Sequence, residues 1–357
     1  MSETVRADEE LVELLEDFFA REVTPDLVDA TERAGTLPTA LWGRAEAVQI
    51  PWIGIEEEHG GVGGTFADVV ALVHHAAYRA TPLPLLEHHL AATLLARAGL
   101  GHVQGPLTVA GISQHDGVPA VVDGALRGQI PVVPWAADVT AVVVLTRDEQ
   151  GHDVVALVHR DAFAVEPSTD LAGTPVPTVV LDGSPVAVGQ MGGGVEAFLR
   201  YAEVLRCSAL AGLQRRLCDL TSGYVTERHQ FGKPVGSFQA VQIHTVTLAQ
   251  AATMSMLSVD RAAGAVASGV GELEVAATSV VVGQNAVRAA AAAHQAHGAI
   301  GMTREYPLQQ VTRRIHAIRQ LWSSLAAAEE AVGRTSLAAP RLSELVARHP
   351  EEGLQSA

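Results

Sequence analysis

The chain is 357 residues long, 48% hydrophobic and 18% charged, with a formal net charge of −16. That is enough apolar material to bury large cores in two or three domains, and it excludes wholesale disorder. The acidic balance, with nothing resembling a basic stripe, excludes a nucleic-acid role.

The longest apolar runs, such as Ala141–Leu145, are far too short to cross a bilayer, so no membrane role is expected. The N-terminus is acidic and lacks a basic n-region, so no secretory signal is expected. Cys207 and Cys218 fall on one predicted helix, 11 residues apart, too far to bridge. A reduced, cytoplasmic setting fits these features.

Residues 1–105 read as a helical domain. Glu9–Val23 places Leu11, Leu14, Leu15, Phe18 and Phe19 on one face at helical spacing. Pro38 marks a helix start, followed by Leu41, Ala45 and Val48. The glycine cluster Gly60–Gly64 breaks the pattern, a helix runs from Phe66 to about Arg79, and another covers Leu86–Ala98 after Pro82 and Pro84.

Residues 106–190 change period. The Val-rich runs PLTVAGI, PAVVDGAL, ADVTAVVVLT, HDVVALVHR and TPVPTVVLDG are bounded by Gly, Pro and Asp. They predict a small antiparallel β domain. Gly192–Gly194 then returns the chain to helix.

Residues 191–341 predict a four-helix bundle, and 342–357 a polar tail. Phe198, Ala202, Leu205, Ala209, Leu213, Leu217, Leu220 and Tyr224 form the seam of a long first helix. RHQFGKPVGS interrupts it, with Ser237 a candidate cap for a second helix running to about Ala267. A third helix spans Glu272 to the HGAIG turn, and a fourth runs from Pro307 to about Val332. The overall class is therefore α+β, in the order helices, β domain, bundle.

Two segments at breaks of the bundle carry the chemistry. One is Arg228-His-Gln230-Phe231-Gly-Lys-Pro, with Gln239 following the arginine by 11 residues. The other is Gln295-Ala-His-Gly298-Ala299-Ile-Gly301-Met-Thr-Arg-Glu-Tyr-Pro307. An arginine at a helix end can pair bidentately with a phosphate. A glycine turn lets a phosphate reach backbone amides, and a following helix N-terminus favours the anion.

In this order and architecture the two segments resemble the acyl-CoA dehydrogenase family, and GIEEEHGGVGG resembles that family's N-terminal turn. The resemblance covers nearly the whole chain. It implies FAD lying across a subunit interface, with the flavin ring and acyl thioester held largely by one subunit's β domain. The neighbour's bundle then holds the pyrophosphate and adenosine. On that basis Arg228 pairs with the pyrophosphate, Phe231 packs on the dinucleotide, Gln239 bonds near the adenine side, and Gln230 is counted with them as cofactor-binding. Gln295, Gly298, Ala299 and Gly301 form the second turn, with Ala299 replacing a commoner glycine.

The chain departs from the family where chemistry is done. A family enzyme needs a carboxylate to remove the α-proton. One family position for it holds Trp322, or Ser323 with a one-residue slip, and the other holds Ala202. Glu203 is adjacent, but one residue turns a helix by about 100°. The β domain keeps Trp135 but lacks the family's flavin-side strings. The expectation is therefore a chain with no catalytic residue of its own. It resembles the non-catalytic subunit of actinobacterial α2β2 acyl-CoA dehydrogenases, whose catalytic partner supplies the base and holds the acyl-CoA. Steroid side-chain thioesters are the implied substrates, and an electron-transfer acceptor is implied as a further partner. Two alternatives stand beside this: a self-sufficient flavoenzyme, whether a dehydrogenase using Glu203 or a monooxygenase, and a flavin-free structural subunit.

Other residues read as structural. Adjacent histidines on a helix, His74–His75 and His88–His89, point in different directions and complete no metal site. Glu305 reads as a helix N-terminal carboxylate, Glu56–Glu58 as a solvated turn, and His294 and His297 as flanks of the glycine turn.

Overall fold

The computed structural model describes residues 6–112, 117–322, 324–339 and 341. Ser323 and the tail 342–357 lie outside the described residues. Two compact units emerge: Glu9–Leu72 with Ala80–Leu199, and a second that includes Val73–Arg79 and the chain from Arg200 onward.

The first unit opens with α1 (Glu9–Glu22), which buries Leu15, Phe18 and Phe19 and leaves Leu14 exposed. Next comes α2 (Pro25–Ala34), which the sequence reading passed over. Its ends are nevertheless marked. The Leu27 N–H donates to Thr24 Oγ1 at 3.2 Å, Pro25 opens the first turn, and Gly35 closes it at φ 62°. After α3 (Thr39–Ala47), the Gly60–Gly64 turn leads into α4 (Phe66–Tyr78). There the Thr65 N–H donates to Asp68 Oδ2 at 2.7 Å, and the Asp68 N–H returns a bond to Thr65 Oγ1 at 3.3 Å, a capping box.

In α5 (Leu85–Arg97) both His88 and His89 are fully buried. His88 Nδ1 accepts the Leu107 N–H at 3.1 Å, and its ring lies edge-on to Trp42 and Trp52 at 5.0 and 4.6 Å. Burial, then the neighbouring His89 and His102, pushes His88 down to about 3, so it packs as a neutral ring.

The β region forms two four-stranded sheets. In one, β1 (Leu107–Ala110) pairs with β4 (Ala141–Arg147), then β5 (Asp153–His159) and β8 (Ala187–Gln190) follow. The other runs β2 (Val121–Val122), β3 (Ala125–Ile130), β7 (Thr178–Pro185) and β6 (Ala164–Glu166). The expectation of an antiparallel domain needs one correction: β1 and β4 pair parallel, Leu107 opposite Ala141, while the other pairs of these sheets are antiparallel. A central strand covered on both faces reads as a continuous apolar run, which carries no sign of direction. β4 is such a strand, buried from Ala141 through Thr146.

Phe198 of α6 (Val195–Glu227) is buried in the first unit. The second unit is built on that helix from Arg200 onward, where the seam residues Ala202, Leu205, Ala209, Leu213 and Leu217 are all buried. α7 (Gln239–Ala267) and α8 (Glu272–His297) pack beside it. A buried polar network ties the three. Ser255 Oγ donates to Gln214 Oε1 at 2.9 Å, Asn285 Nδ2 donates to Ser255 Oγ at 3.4 Å, and Gln214 Nε2 reaches the Val282 carbonyl at 3.4 Å. The second half of α4 belongs here too. The Tyr78 hydroxyl donates to Asp219 at 2.9 Å, and a side chain at Gly212 would collide with the His74 carbonyl.

The expected fourth helix is two. α9 (Leu308–Ile318) stops, and α10 (Leu325–Ala338) restarts after Ser324, whose side chain accepts the Ala327 N–H. Trp322, at φ 28°, breaks the run. Cys207 and Cys218 are both unpaired. Among the described residues no helix is long and apolar enough to cross a membrane.

Candidate functional site

The first motif begins where α6 ends. Arg228 donates its backbone N–H to the Tyr224 carbonyl at 2.9 Å and accepts the Val235 N–H at 2.8 Å, so its backbone is anchored on both sides. Between these bonds β9 (His229–Gln230) and β10 (Lys233–Pro234) form a hairpin with Phe231 and Gly232 as its two-residue turn. Their φ values are 54° and 78°, the left-handed pair such a tight hairpin requires. A side chain in that region costs about 1 kcal/mol or more. Phe231 accepts this cost while 90% exposed, giving up the burial that rewards a phenylalanine elsewhere.

The rings of Phe231 and Phe238 meet edge to face at 6.1 Å, and Lys233 Nζ lies 4.3 Å from the Phe238 ring. Arg228, Gln230 and Gln239 are exposed, and among the described residues no ion pair engages Arg228. One expectation is corrected: Ser237 does not cap α7. Its hydroxyl donates to the Pro234 carbonyl at 2.7 Å, and α7 starts behind Phe238 without a side-chain cap.

The second motif is the end of α8. Gly298 adopts φ 64°, ψ −144°, where only glycine is at ease. A short 3-10 turn, Gly298–Met302, follows. Gly301 is buried, and a Cβ there would stand 2.8 Å from Leu308 and 3.0 Å from the His297 Cβ. Ala299 is exposed on the turn and does not have a left-handed backbone, so the local structure accommodates its methyl group. Gln295 is exposed on the last turns of α8.

The sequence reading missed what holds the two motifs at one end of the bundle. Tyr224, one turn before Arg228, stacks on His297, immediately before Gly298, at 4.5 Å and 22°. The Tyr224 hydroxyl reaches the His297 carbonyl at 3.4 Å. Tyr306 lies 4.9 Å from His297 and donates to the Leu220 carbonyl at 3.1 Å. His297 Nδ1 lies 2.8 Å from the Ala293 carbonyl, which makes that nitrogen the donor, and burial lowers the pKa of the ring. The available signal was positional: Tyr224 lies one turn before the first motif, and His297 lies within the second.

Carboxylates are the other half of the question. Ala202 is fully buried on the α6 seam. Beside it, Glu203 is gripped by Arg206: Nε donates to Oε2 at 2.9 Å and Nη2 to Oε1 at 2.5 Å. Ser279 Oγ donates to Oε1 at 2.6 Å. Arg206 is 3% exposed. Burial lowers its proton affinity, but the charge of Glu203 and its hydrogen bonds outweigh that and raise it. Burial, with the charge of Glu203, also pushes the Cys207 thiol up, so no thiolate forms there. Both oxygens of Glu203 therefore serve an ion pair. Trp322 occupies the α9–α10 break half-buried, and its indole Nε1 has no hydrogen-bond partner among the described residues. In the β region Trp135 is 5% exposed and donates its backbone N–H to the Pro175 carbonyl at 2.7 Å.

Two family models match the chain: the acyl-CoA dehydrogenase N-terminal domain over residues 6–102, and the C-terminal domain over residues 193–321. Acyl-CoA dehydrogenase FadE34 of Mycobacterium tuberculosis is 29% identical over 277 residues. The match takes in 74% of this chain but spans only 38% of the length of that relative. The ChsE4-ChsE5 complex from Mycobacterium tuberculosis contains a chain of TM-score 0.84 at 22% identity, covering 96% of this chain and 99% of that one. The Tcur3481-Tcur3483 steroid ACAD G363A variant gives 0.82 at 21% identity, covering 95% and 98%. At such identities the two structures establish a shared fold.

Proposed function

This chain belongs to the acyl-CoA dehydrogenase family, and we propose that within it the chain serves as the FAD-sharing, non-catalytic subunit of an α2β2 heterotetramer. The complex α,β-desaturates an acyl-CoA, and the likeness to a chain of the ChsE4-ChsE5 complex and to the Tcur3481-Tcur3483 steroid ACAD favours a steroid side-chain thioester. The domains are 1–105, 106–190 and 191–341, and the complex is cytoplasmic and passes electrons to an electron-transfer acceptor.

The chain's own residues fit the outer half of a dinucleotide. Arg228 offers a cation with no counter-ion among the described residues, Phe231 an uncovered ring held in a strained turn, and Gly298 a backbone open to close approach. Arg228 would hold the pyrophosphate with Gln230 beside it, Phe231 would cover the dinucleotide, and Gln239 would bond near the adenine. Gln295, Gly298, Ala299 and Gly301 would line the second turn. When bound, FAD supplies the acceptor for the substrate's β-hydride. The α-proton goes to a carboxylate of the partner, because this chain offers Ala202, Trp322 and a Glu203 already committed to Arg206.

The observation that carries the reading is the contrast between a kept, exposed Arg228–Phe231 turn and the absence of a free carboxylate at the described base positions. The test is purification of the chain alone and with its partner, followed by flavin and subunit stoichiometry. The lone chain should be nearly colourless, and the complex should hold about one FAD per heterodimer, as a site built from two chains requires. A lone chain that is yellow and dehydrogenates an acyl-CoA would reverse the conclusion.

A further inference from the structure

We propose that Arg79 and Arg216, gathered on the ring of Tyr78, form an anion site for a phosphate monoester, separate from the Arg228 turn. Tyr78 is the last residue of α4, and its hydroxyl donates to Asp219 Oδ2 on α6 at 2.9 Å, which fixes the ring. The Cζ atoms of Arg79 and Arg216 lie over that ring, 5.4 and 5.3 Å from its centroid. The ring attracts each guanidinium, but two like charges gathered on one ring repel each other. An anion bound beside them removes the repulsion.

The charges of the cluster do not cancel. Asp219 is taken by Arg215, whose Nε donates to Oδ2 at 3.1 Å. Among the described residues no ion pair engages Arg79 or Arg216, although both are half-buried. A half-buried guanidinium has given up part of its water, and a counter-ion compensates for that loss. The end of α4 accounts for a cation at Arg79, but Arg216 stands about three turns before the end of α6. Neighbouring groups report the same excess of positive charge. His74, one turn before Tyr78, is pushed down to about 3, first by burial and then by the charges of His75 and Arg215. Its Nδ1 is buried without a hydrogen-bond partner. Burial raises the Tyr306 hydroxyl, and the charge of Arg216 opposes that rise.

The balance of charge selects the ligand. Arg79, Arg215 and Arg216 against Asp219 leave two positive charges. A carboxylate ligand brings one negative charge. A phosphate monoester brings about 1.5–2 near neutral pH, with three oxygens that can each meet a guanidinium edge. A guanidinium lying over a ring keeps its in-plane donors free for such a contact.

Isothermal titration of the full-length chain carrying Arg228→Ala tests this, because that background removes the other proposed phosphate contact. At about pH 7.5 and constant ionic strength, inorganic phosphate should bind saturably at one site, and acetate should not. Arg79→Gln alone, at a helix end, should weaken phosphate several-fold, and Arg79→Gln with Arg216→Gln by about 10-fold or more. Arg288→Gln, which alters an exposed arginine on α8, should leave the affinity unchanged. Adenosine 3′,5′-bisphosphate distinguishes the sources. Binding tighter than phosphate, lost in the double variant, marks a nucleotide-borne group; binding no tighter marks free phosphate. Equal affinity for acetate and phosphate overturns the proposal, as does phosphate binding that never saturates. So does a folded double variant, by its thermal melt, that binds phosphate as its parent does.

Discussion

The ring of Tyr224 lies 4.5 Å from that of His297, nearly parallel to it, and this contact sets Arg228 and Gly298 at the same end of the bundle. The two residues are 73 positions apart, and each is followed within one turn by residues proposed above to hold the dinucleotide. Replacing Tyr224 with Leu should therefore lower flavin retention by the complex several-fold, although neither Arg228 nor Gly298 is itself altered. Tyr224→Phe should retain most of it, because the ring contact survives and only a long hydrogen bond is lost. Flavin content after desalting distinguishes the two variants, and equal loss in both would locate the effect elsewhere.

Arg228→Ala should reduce flavin occupancy at least 10-fold, in keeping with about 1.5–3 kcal/mol for a hydrogen bond to a charged group. Arg228→Lys should recover only part of it, since an ammonium cannot form the two-pronged contact. Unchanged flavin content in the alanine variant would support a structural subunit without flavin.

Phe231→Asn separates function from stability. Asparagine tolerates a left-handed backbone, so relief of the turn should leave the lone chain as stable or more stable by up to about 1 kcal/mol. The complex should lose flavin faster, because the exposed ring no longer covers it. A thermal melt of the lone chain and a flavin-release rate for the complex read the two effects.

Glu203→Gln should leave turnover per bound flavin unchanged. It should cost about 3–5 kcal/mol of stability by leaving the buried Arg206 without its counter-charge. A fall of turnover by several orders of magnitude, with the melt unchanged, would make Glu203 a base after all.

His88 and His89 are fully buried and pushed down to about 3 and about 4, so both are neutral in the fold, whereas an unfolded histidine protonates near 6.5. Their contribution is present above pH 6.5 and is lost as pH falls toward the folded values, at up to about 1.4 kcal/mol per unit for each. Glu87 has the opposite sign. Burial raises it from 4.5 to about 7, so its contribution is lost as pH rises through that interval. Denaturant midpoints should fall from about pH 7.5 to about pH 5.5, and more steeply in Glu87→Gln, which lacks the opposing group. A midpoint independent of pH over this range would contradict the assignment.

The order of helices, β region and bundle was legible in the amino-acid string, and so were the positions of both turns. These features are local: an apolar residue recurs at the helical period, and Gly232, Pro234 and Gly298 interrupt it where the backbone must turn. Local periodicity could not show that β1 pairs parallel with β4, because a strand buried on both faces has no directional pattern. Nor could it show that Trp322 splits the last predicted helix, since residues compatible with helix lie on both sides.

Two features of the candidate site exist only in the folded chain. One is the role of Glu203, whose carboxylate is completed by Ser279 from another helix; the other is the meeting of the two turns through Tyr224 and His297. Such contacts join residues more than 70 positions apart, and no repeat or spacing along the chain records which distant side chain will arrive.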